Sequence, residues 1–384
     1  MIISGVDKIE KIFVSGLNKK NIVLITGSSN VDSSGSPVYL EVKKFAGNNL
    51  KSIWSLQHGF FVDKQDNMVF SEPFYWQELD INVRSLYGES LIPQKNWIDG
   101  IDAILIDIFD IGTRVYTFVN HIVKIMKFFS GDDVEFIILD RPNPLGGNIV
   151  EGNIAEKKYF SIVGDLPVPM RHSLTVGEYL IYAKDYYKID IELDIIKIEN
   201  WKRELYEPLW TYPSPNMPSY NTALAYPGAV MLEGTNLSEG RGTTRPFEFV
   251  GAPFLNAIQM VNHMNTLNLN GVRFIPIFFK PEFSKFANMI CDGIYIYVID
   301  VENFRSFEVY YEIIRFAYHM YPDKFEWKNP PYEYEYKRLP IDMISASVFI
   351  RENIENNISY SEIREDIDNN GNKYLNSVKP FLLY

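Results

Sequence analysis

Four short, continuously apolar runs mark the first 140 positions: residues 21–26 (NIVLIT), 52–56 (SIWSL), 103–107 (AILID) and 134–140 (VEFIILD). Runs that do not alternate are what strands covered on both faces look like, as in a parallel sheet flanked by helices. Between them, residues 117–129 carry a helical pattern in which Val119, Ile122, Val123, Met126 and Phe129 share one face. Thr175 and Glu178 have capping-box spacing ahead of Tyr179, Leu180 and Tyr182, which predicts a second helix and gives Glu178 a purely local role. Strand–helix alternation predicts an α/β fold: a Rossmann-like doubly wound parallel sheet, with its site at the carboxyl ends of the strands.

The pattern changes after residue 206, where residues 206–218 are rich in Pro and Trp. With 384 residues the chain also exceeds the size at which one core stops growing. A Rossmann-like domain over 1–207 and a smaller α+β domain over 208–384 are therefore expected, with a cleft at their interface. In the second half, residues 293–300 (GIYIYVID) alternate like a strand, residues 304–321 read as a helix, and the polar, Asn-rich residues 353–372 read as a surface helix–loop–helix.

Residues 226–253 hold Glu233, Asn236, Glu239, Arg241, Arg245 and Glu248 among glycines at 228, 234, 240, 242 and 251. That run reads as too polar and glycine-rich for a core helix or a buried strand, and as a loop that can bind a polar ligand. A surface loop held by its own Arg–Glu pairs is the plainer alternative. Further clusters fall at predicted strand ends: Gln57-His58-Gly59, the stretch from Asp107 through Asp110, Arg114 and Tyr116, the stretch from Asp140 through Arg141 and Asn143, and Arg171-His172 downstream. Ser214-Pro-Asn216 is placed to close the same crevice. No G-x-G-x-x-G or P-loop follows the first strand, so the expected sheet does not imply a nucleotide.

Composition narrows the chemistry. A formal net charge of −12 argues against a nucleic-acid partner. The single cysteine, Cys291, excludes an intramolecular disulfide and reads as a buried structural thiol. Neither a metal nor a cofactor is expected, because no metal-ligand spacing occurs. There is no run of about 18 apolar residues and no signal-peptide pattern, so no membrane span is expected. The chain as given reads as cytoplasmic, or extracytoplasmic if an export signal has been removed. The oligomeric state is left open.

The motifs then fit a family. Ser4-Gly-Val-Asp, Leu24-Ile-Thr, His58-Gly, Ser85-Leu-Tyr-Gly, residues 107–117, Asp140-Arg-Pro-Asn-Pro, Arg171-His, Ser214-Pro-Asn-Met-Pro, residues 233–253 and Phe381-Leu-Leu-Tyr run nearly end to end. Together they resemble the NamZ/YbbC-type exo-β-N-acetylmuramidases, bacterial glycosidases that release N-acetylmuramic acid from non-reducing ends of peptidoglycan fragments. The resemblance implies a Rossmann-like N-terminal domain, a smaller C-terminal domain, and a small carbohydrate as the partner. It implies catalytic roles among Gln57, His58, Asp110, Tyr116 and Glu239. Substrate contacts are implied from Arg114, Arg141, Asn143, Arg171, His172, Asn216, Glu233, Asn236 and Arg241.

The chain departs from the family where chemistry is expected. The family usually reads Glu-His-Gly where this chain has Gln57-His58-Gly59, and that glutamate is the expected catalytic carboxylate. It reads Asp-x-Gln-Asp against Asp107-Ile-Phe109-Asp110, Thr-Asn-Gln-Thr-Gly against Thr26-Gly27-Ser-Ser-Asn30, and Arg-His-Gly against Arg171-His172-Ser173. A neutral amide cannot donate a proton as an acid. Glu239, Glu233 or Asp110 would then supply the acid, with help from the N-acetyl group. Otherwise the cleft has become a weakened enzyme or a binder of muropeptides or amino sugars. The lactyl carboxylate of muramic acid calls for a guanidinium, with Arg114, Arg171 and Arg241 as candidates.

Overall fold

The structure, a computed structural model, describes residues 1–65, 68–88 and 90–384. The N-terminal half supplies strands β1 (Ile22–Ile25), β2 (Leu50–Ser55), β3 (Phe74–Trp76), β4 (Ile81–Ser85), β5 (Ala103–Ile106), β6 (Glu135–Leu139) and β7 (Glu192–Ile196). They form one sheet in the order β3-β4-β2-β1-β5-β6-β7, with only β3 antiparallel to its neighbour. Along β1, Ile22 and Leu24 join one hydrophobic cluster, while Val23 and Ile25 join the cluster on the opposite face. Both faces are dry, which is why the run is continuously apolar. Helices α1 (Ile9–Val14), α2 (Val38–Ala46), α3 (Phe118–Phe128) and α4 (Val176–Tyr187) belong to this half. α4 opens on the Thr175–Glu178 capping box, with both reciprocal hydrogen bonds made (3.0 and 3.2 Å).

β1 has β2 on one side and β5 on the other, so the direction of winding reverses there and a crevice opens at the strands' carboxyl ends. The C-terminal half holds α5 (Tyr220–Ala229), α6 (Ala257–Thr266), α7 (Ser306–Met320), α8 (Pro340–Ile344), α9 (Phe349–Glu355) and α10 (Tyr360–Val378). It also holds a small antiparallel sheet, β8 (Phe249–Ala252), β10 (Cys291–Val298) and β9 (Val272–Phe279) in that spatial order. The fold is thus mixed α/β, with a mainly parallel sheet, a smaller second sheet and a cleft between the halves. The tail returns to the first half: Tyr374 and Val378 of α10 enter its core, and the Tyr384 hydroxyl donates to Asp140 Oδ2 (2.7 Å).

The reading of residues 226–253 as loop needs correction. Tyr226–Ala229 closes α5, Val230–Gly234 continues as a 3-10 turn, and Phe249–Ala252 is a strand, all largely buried. Gly228 and Gly234 are there for close packing: a Cβ would meet the Ser306 carbonyl oxygen at 2.2 Å and Ile341 Cα at 2.7 Å. Only about 235–248 is irregular.

Candidate active site

A small cavity lies between the halves, lined by residues from both. The N-terminal half contributes Gln57 and His58, just past β2, and Tyr116 and Thr117, just before α3. Thr117 is the N-cap of α3, yet its hydroxyl does not cap the helix; it donates to Gln57 Oε1 instead. His58, in left-handed backbone (φ 69°), shares a hydrogen with the Lys64 carbonyl through Nδ1 (2.6 Å). Burial pushes the imidazole down to about 4, with Arg241 adding to the effect, so His58 is neutral at pH 7.

The C-terminal half contributes Tyr226, Glu233, Arg241, Tyr332 and Glu333. Glu233 Oε1 accepts from Arg241 Nη2 (2.6 Å) and Oε2 from the Tyr332 hydroxyl (2.9 Å). Arg241 also donates to the Gln65 carbonyl (3.2 Å), and Asn216 Nδ2 donates to Gln65 Oε1 (3.1 Å), so Gln65 ties the rim to the floor. Glu333 Oε1 accepts from Gln57 Nε2 (3.0 Å) and Oε2 from the Tyr87 hydroxyl (2.7 Å). Burial raises the Glu333 carboxyl to about 7; those two donors pull it down while Glu233 pushes it up.

A second, smaller hollow follows the crevice beside β1 and β5. It is lined by Thr26, Gly27, Asn30, Ile108 and Phe109, and shares Gln57 and Phe118 with the first. Among the described residues no three His, Cys, Asp or Glu side chains converge as a metal site, and no helix is long and apolar enough to cross a membrane.

Comparison with known proteins decides the family. The models of the exo-β-N-acetylmuramidase NamZ N-terminal and C-terminal domains match residues 22–221 and 224–384. The chain belongs to the NamZ family. It is 31% identical to the peptidoglycan β-N-acetylmuramidase NamZ of Bacillus subtilis (strain 168), over 99% of this chain and 91% of that protein. A DUF1343 family protein of Bacteroides fragilis NCTC 9343 superposes with a TM-score of 0.87 at 26% identity, over 100% of this chain and 99% of the other. A second DUF1343 protein from that organism shares the fold, with a TM-score of 0.75 at 24% identity over the same shares. Membership in this family supports a glycoside hydrolase.

Of the residues singled out by sequence, the cavity gathers Gln57, His58, Tyr116, Asn216, Glu233 and Arg241. Others lie outside its lining, and their expected roles need correction. Arg114 is fully buried, with Nη1 donating to the Asn153 and Val168 carbonyls (3.0 and 2.9 Å) and Nη2 to that of Ile344 (2.9 Å). Arg171 is spent on Glu151 (2.7 Å), and Arg141 on Asp107 (2.6 and 3.0 Å). Asn143 bonds the Leu174 carbonyl and the Leu145 N–H, and Asn236 bonds the Lys324 carbonyl and the Glu326 N–H. His172 is buried, its Nδ1 accepting from the Leu174 N–H (3.2 Å).

Two carboxyls proposed as acids also sit outside the cavity. Glu239 accepts from Lys285 (2.8 Å) and lies 3.4 Å from Arg241 Nε. Burial pushes its carboxyl up, but the two cations outweigh that and hold it below its ordinary value. Asp110 accepts from the Gly112 N–H (2.7 Å) near the start of α3, and burial raises it to about 7. Its Oδ2 is buried without a partner beneath the site. Glu333 and Tyr332 went unread in the sequence, and Tyr87 was read only as part of a family motif, without a role in the site. The signal was Asn329-Pro-Pro-Tyr-Glu-Tyr-Glu-Tyr336, where acids and aromatics alternate with strand-like spacing directly after two prolines.

Proposed function

We propose that this chain is a glycosidase that removes N-acetylmuramic acid from non-reducing ends of peptidoglycan fragments. The observation that carries this reading is the cavity itself, which two carboxyl side chains, Glu233 and Glu333, line together with Arg241. Glycoside hydrolysis uses such a pair: one group assists the leaving oxygen, while the other meets the positive charge or activates water. Tyr116, Tyr226 and Phe247 add aromatic rings to the cavity lining. Arg241 is the one guanidinium among the three candidates that lines the cavity, and it serves the lactyl carboxylate that distinguishes muramic acid from glucosamine.

The test is release of chromophore from a β-glycoside of N-acetylmuramic acid, run beside the N-acetylglucosamine analogue. Release from the first and little from the second supports the reading. Saturable binding without release would make the protein a muropeptide binder, the alternative raised by a neutral amide at position 57.

A further inference from the structure

We propose that Glu333, presented by the C-terminal half to the amide of Gln57, is the residue that protonates the departing sugar oxygen. This assignment rests on the glycosidase reading above. Tyr332 and Glu335 exchange both backbone hydrogen bonds (2.9 Å each), leaving Glu333 and Tyr334 as the central pair of a tight turn. Both have positive φ (45° and 66°), a conformation for which such turns favour Gly and Asn. A glutamate and a tyrosine held there carry a local strain that the surroundings must hold in place, and such outliers cluster at functional sites. The turn tip points its carboxyl into the cavity, away from bulk water.

The neighbours give that carboxyl a defined proton. Thr117 donates to the Gln57 carbonyl oxygen, which turns the Gln57 NH2 toward Glu333 Oε1. Oε1 is thereby fixed as an acceptor, so the proton of the acid form resides on Oε2, and in that form the hydrogen bond to Tyr87 reverses, with the phenol oxygen accepting. Position 57 cannot itself supply a proton, but it orients the group that can. The remaining acidic candidates are otherwise engaged: Glu233 with Arg241 and Tyr332, Glu239 with Lys285 and Arg241, and Asp110 outside the cavity lining. Burial raises the Glu333 carboxyl to about 7, so a substantial fraction carries its proton at neutral pH. Facing it are Tyr87, Tyr334, Glu233 and Arg241, with His58 and Tyr332 lining the same cavity.

In the step assigned to it, the bond between the anomeric carbon and the bridging oxygen breaks and its electron pair stays on that oxygen. The oxygen takes the Glu333 proton as it leaves. Water supplies the new oxygen to the anomeric carbon and gives up one proton, which restores the carboxyl set. The net change is addition of one water across the bond.

The test compares wild type and Glu333→Gln on two N-acetylmuramic acid β-glycosides. One leaves N-acetylglucosamine, a poor leaving group; the other leaves 2,4-dinitrophenolate, which needs no proton. The expected result is a loss of roughly 10²–10⁴-fold on the disaccharide, rates within about tenfold of wild type on the dinitrophenyl substrate, and disappearance of the fall in rate on raising pH through about 7. Equal losses on both substrates, or wild-type cleavage of the disaccharide, overturn the assignment. If Glu333→Gln does not fold by thermal melt, Glu333→Asp keeps an acid one methylene shorter. It should then lose rate selectively on the disaccharide, and uniform loss again overturns the assignment. A wild type inactive on both substrates overturns the glycosidase reading, and this assignment with it.

Discussion

Glu239 and Glu333 are the same residue type, both almost fully buried and both near Arg241, yet their environments set them in opposite electrostatic states. Glu239 is met by a lysine and an arginine, and falls below its ordinary value. Glu333 is met by an amide and a phenol, and rises to about 7. Burial alone raises a carboxyl; what decides the outcome is whether the donors that reach it carry charge. A chain can therefore keep an anion as mortar and an acid as a tool within one cleft, and only the partners tell them apart.

The sharpest way to break this contrast is to remove each carboxylate in turn. Glu333→Gln should cost roughly 10²–10⁴-fold in disaccharide turnover with little loss of stability. Glu239→Gln should do the reverse, leaving the Lys285 ammonium without its anion at a cost of about 3–5 kcal/mol in stability. Urea melts and turnover measured on the same two preparations decide it. A stable Glu239→Gln protein without activity would return the proton donor to Glu239.

A smaller effect is expected at the cation between them. Arg241→Met should weaken muramic ligands by about 1.5–3 kcal/mol more than the glucosamine analogue, if its guanidinium meets the lactyl carboxylate. Calorimetric titration of both sugars reads the difference, and equal losses remove Arg241 from specificity.

Smaller again is the pH dependence of stability. Glu333 binds its proton up to about 7 in the folded state, against an ordinary value of 4.5. Between those values the folded chain holds a proton that the unfolded chain has released. Its contribution is therefore full below about 4.5 and is lost as pH rises through 7, at up to about 1.4 kcal/mol per pH unit. Asp110 (about 7) and Asp140 (about 6) act in the same direction. His58 and His121 (about 4) and His172 (about 3) oppose them, losing stability as pH falls below 6.5. Glu333→Gln should make the slope of stability against pH between about 5 and 7 more positive than in wild type by up to about 1.4 kcal/mol per pH unit, and an unchanged slope would show that Glu333 ionises normally.

The smallest change is Gln57→Glu, which places two carboxyls 3.0 Å apart around one proton. The fall in activity should then move to higher pH by about one unit or more, since the pair resists a second charge. An unmoved profile would separate position 57 from the acid.

How much of this was legible in sequence follows from the range of the forces involved. β1, β2, β5 and β6, the helix after Thr117 and the Thr175–Glu178 cap are local patterns, and each appears within a residue or two of its expected place. β3 and β7 left no comparable run, because both lie at sheet edges and keep exposed or half-buried side chains. Arg114 and Arg171 read as ligands because a guanidinium in a polar stretch looks the same whether it faces a sugar or three main-chain carbonyls. That distinction depends on Asn153, Val168 and Ile344 meeting in space. Glu333 stayed hidden for the matching reason: its partners Gln57 and Tyr87 lie 276 and 246 residues away.

Arg114 has a mechanical consequence. Among the described residues its guanidinium pairs with no carboxylate; it is solvated by backbone oxygen from Asn153 and Val168 on one side and from Ile344 near the far end of the chain. Parting the two halves would strip the Ile344 carbonyl from a buried cation, so the guanidinium acts as a rivet through the seam. Scanning calorimetry should accordingly show one transition for the whole chain, and two well-separated melts would mean that the rivet does not hold.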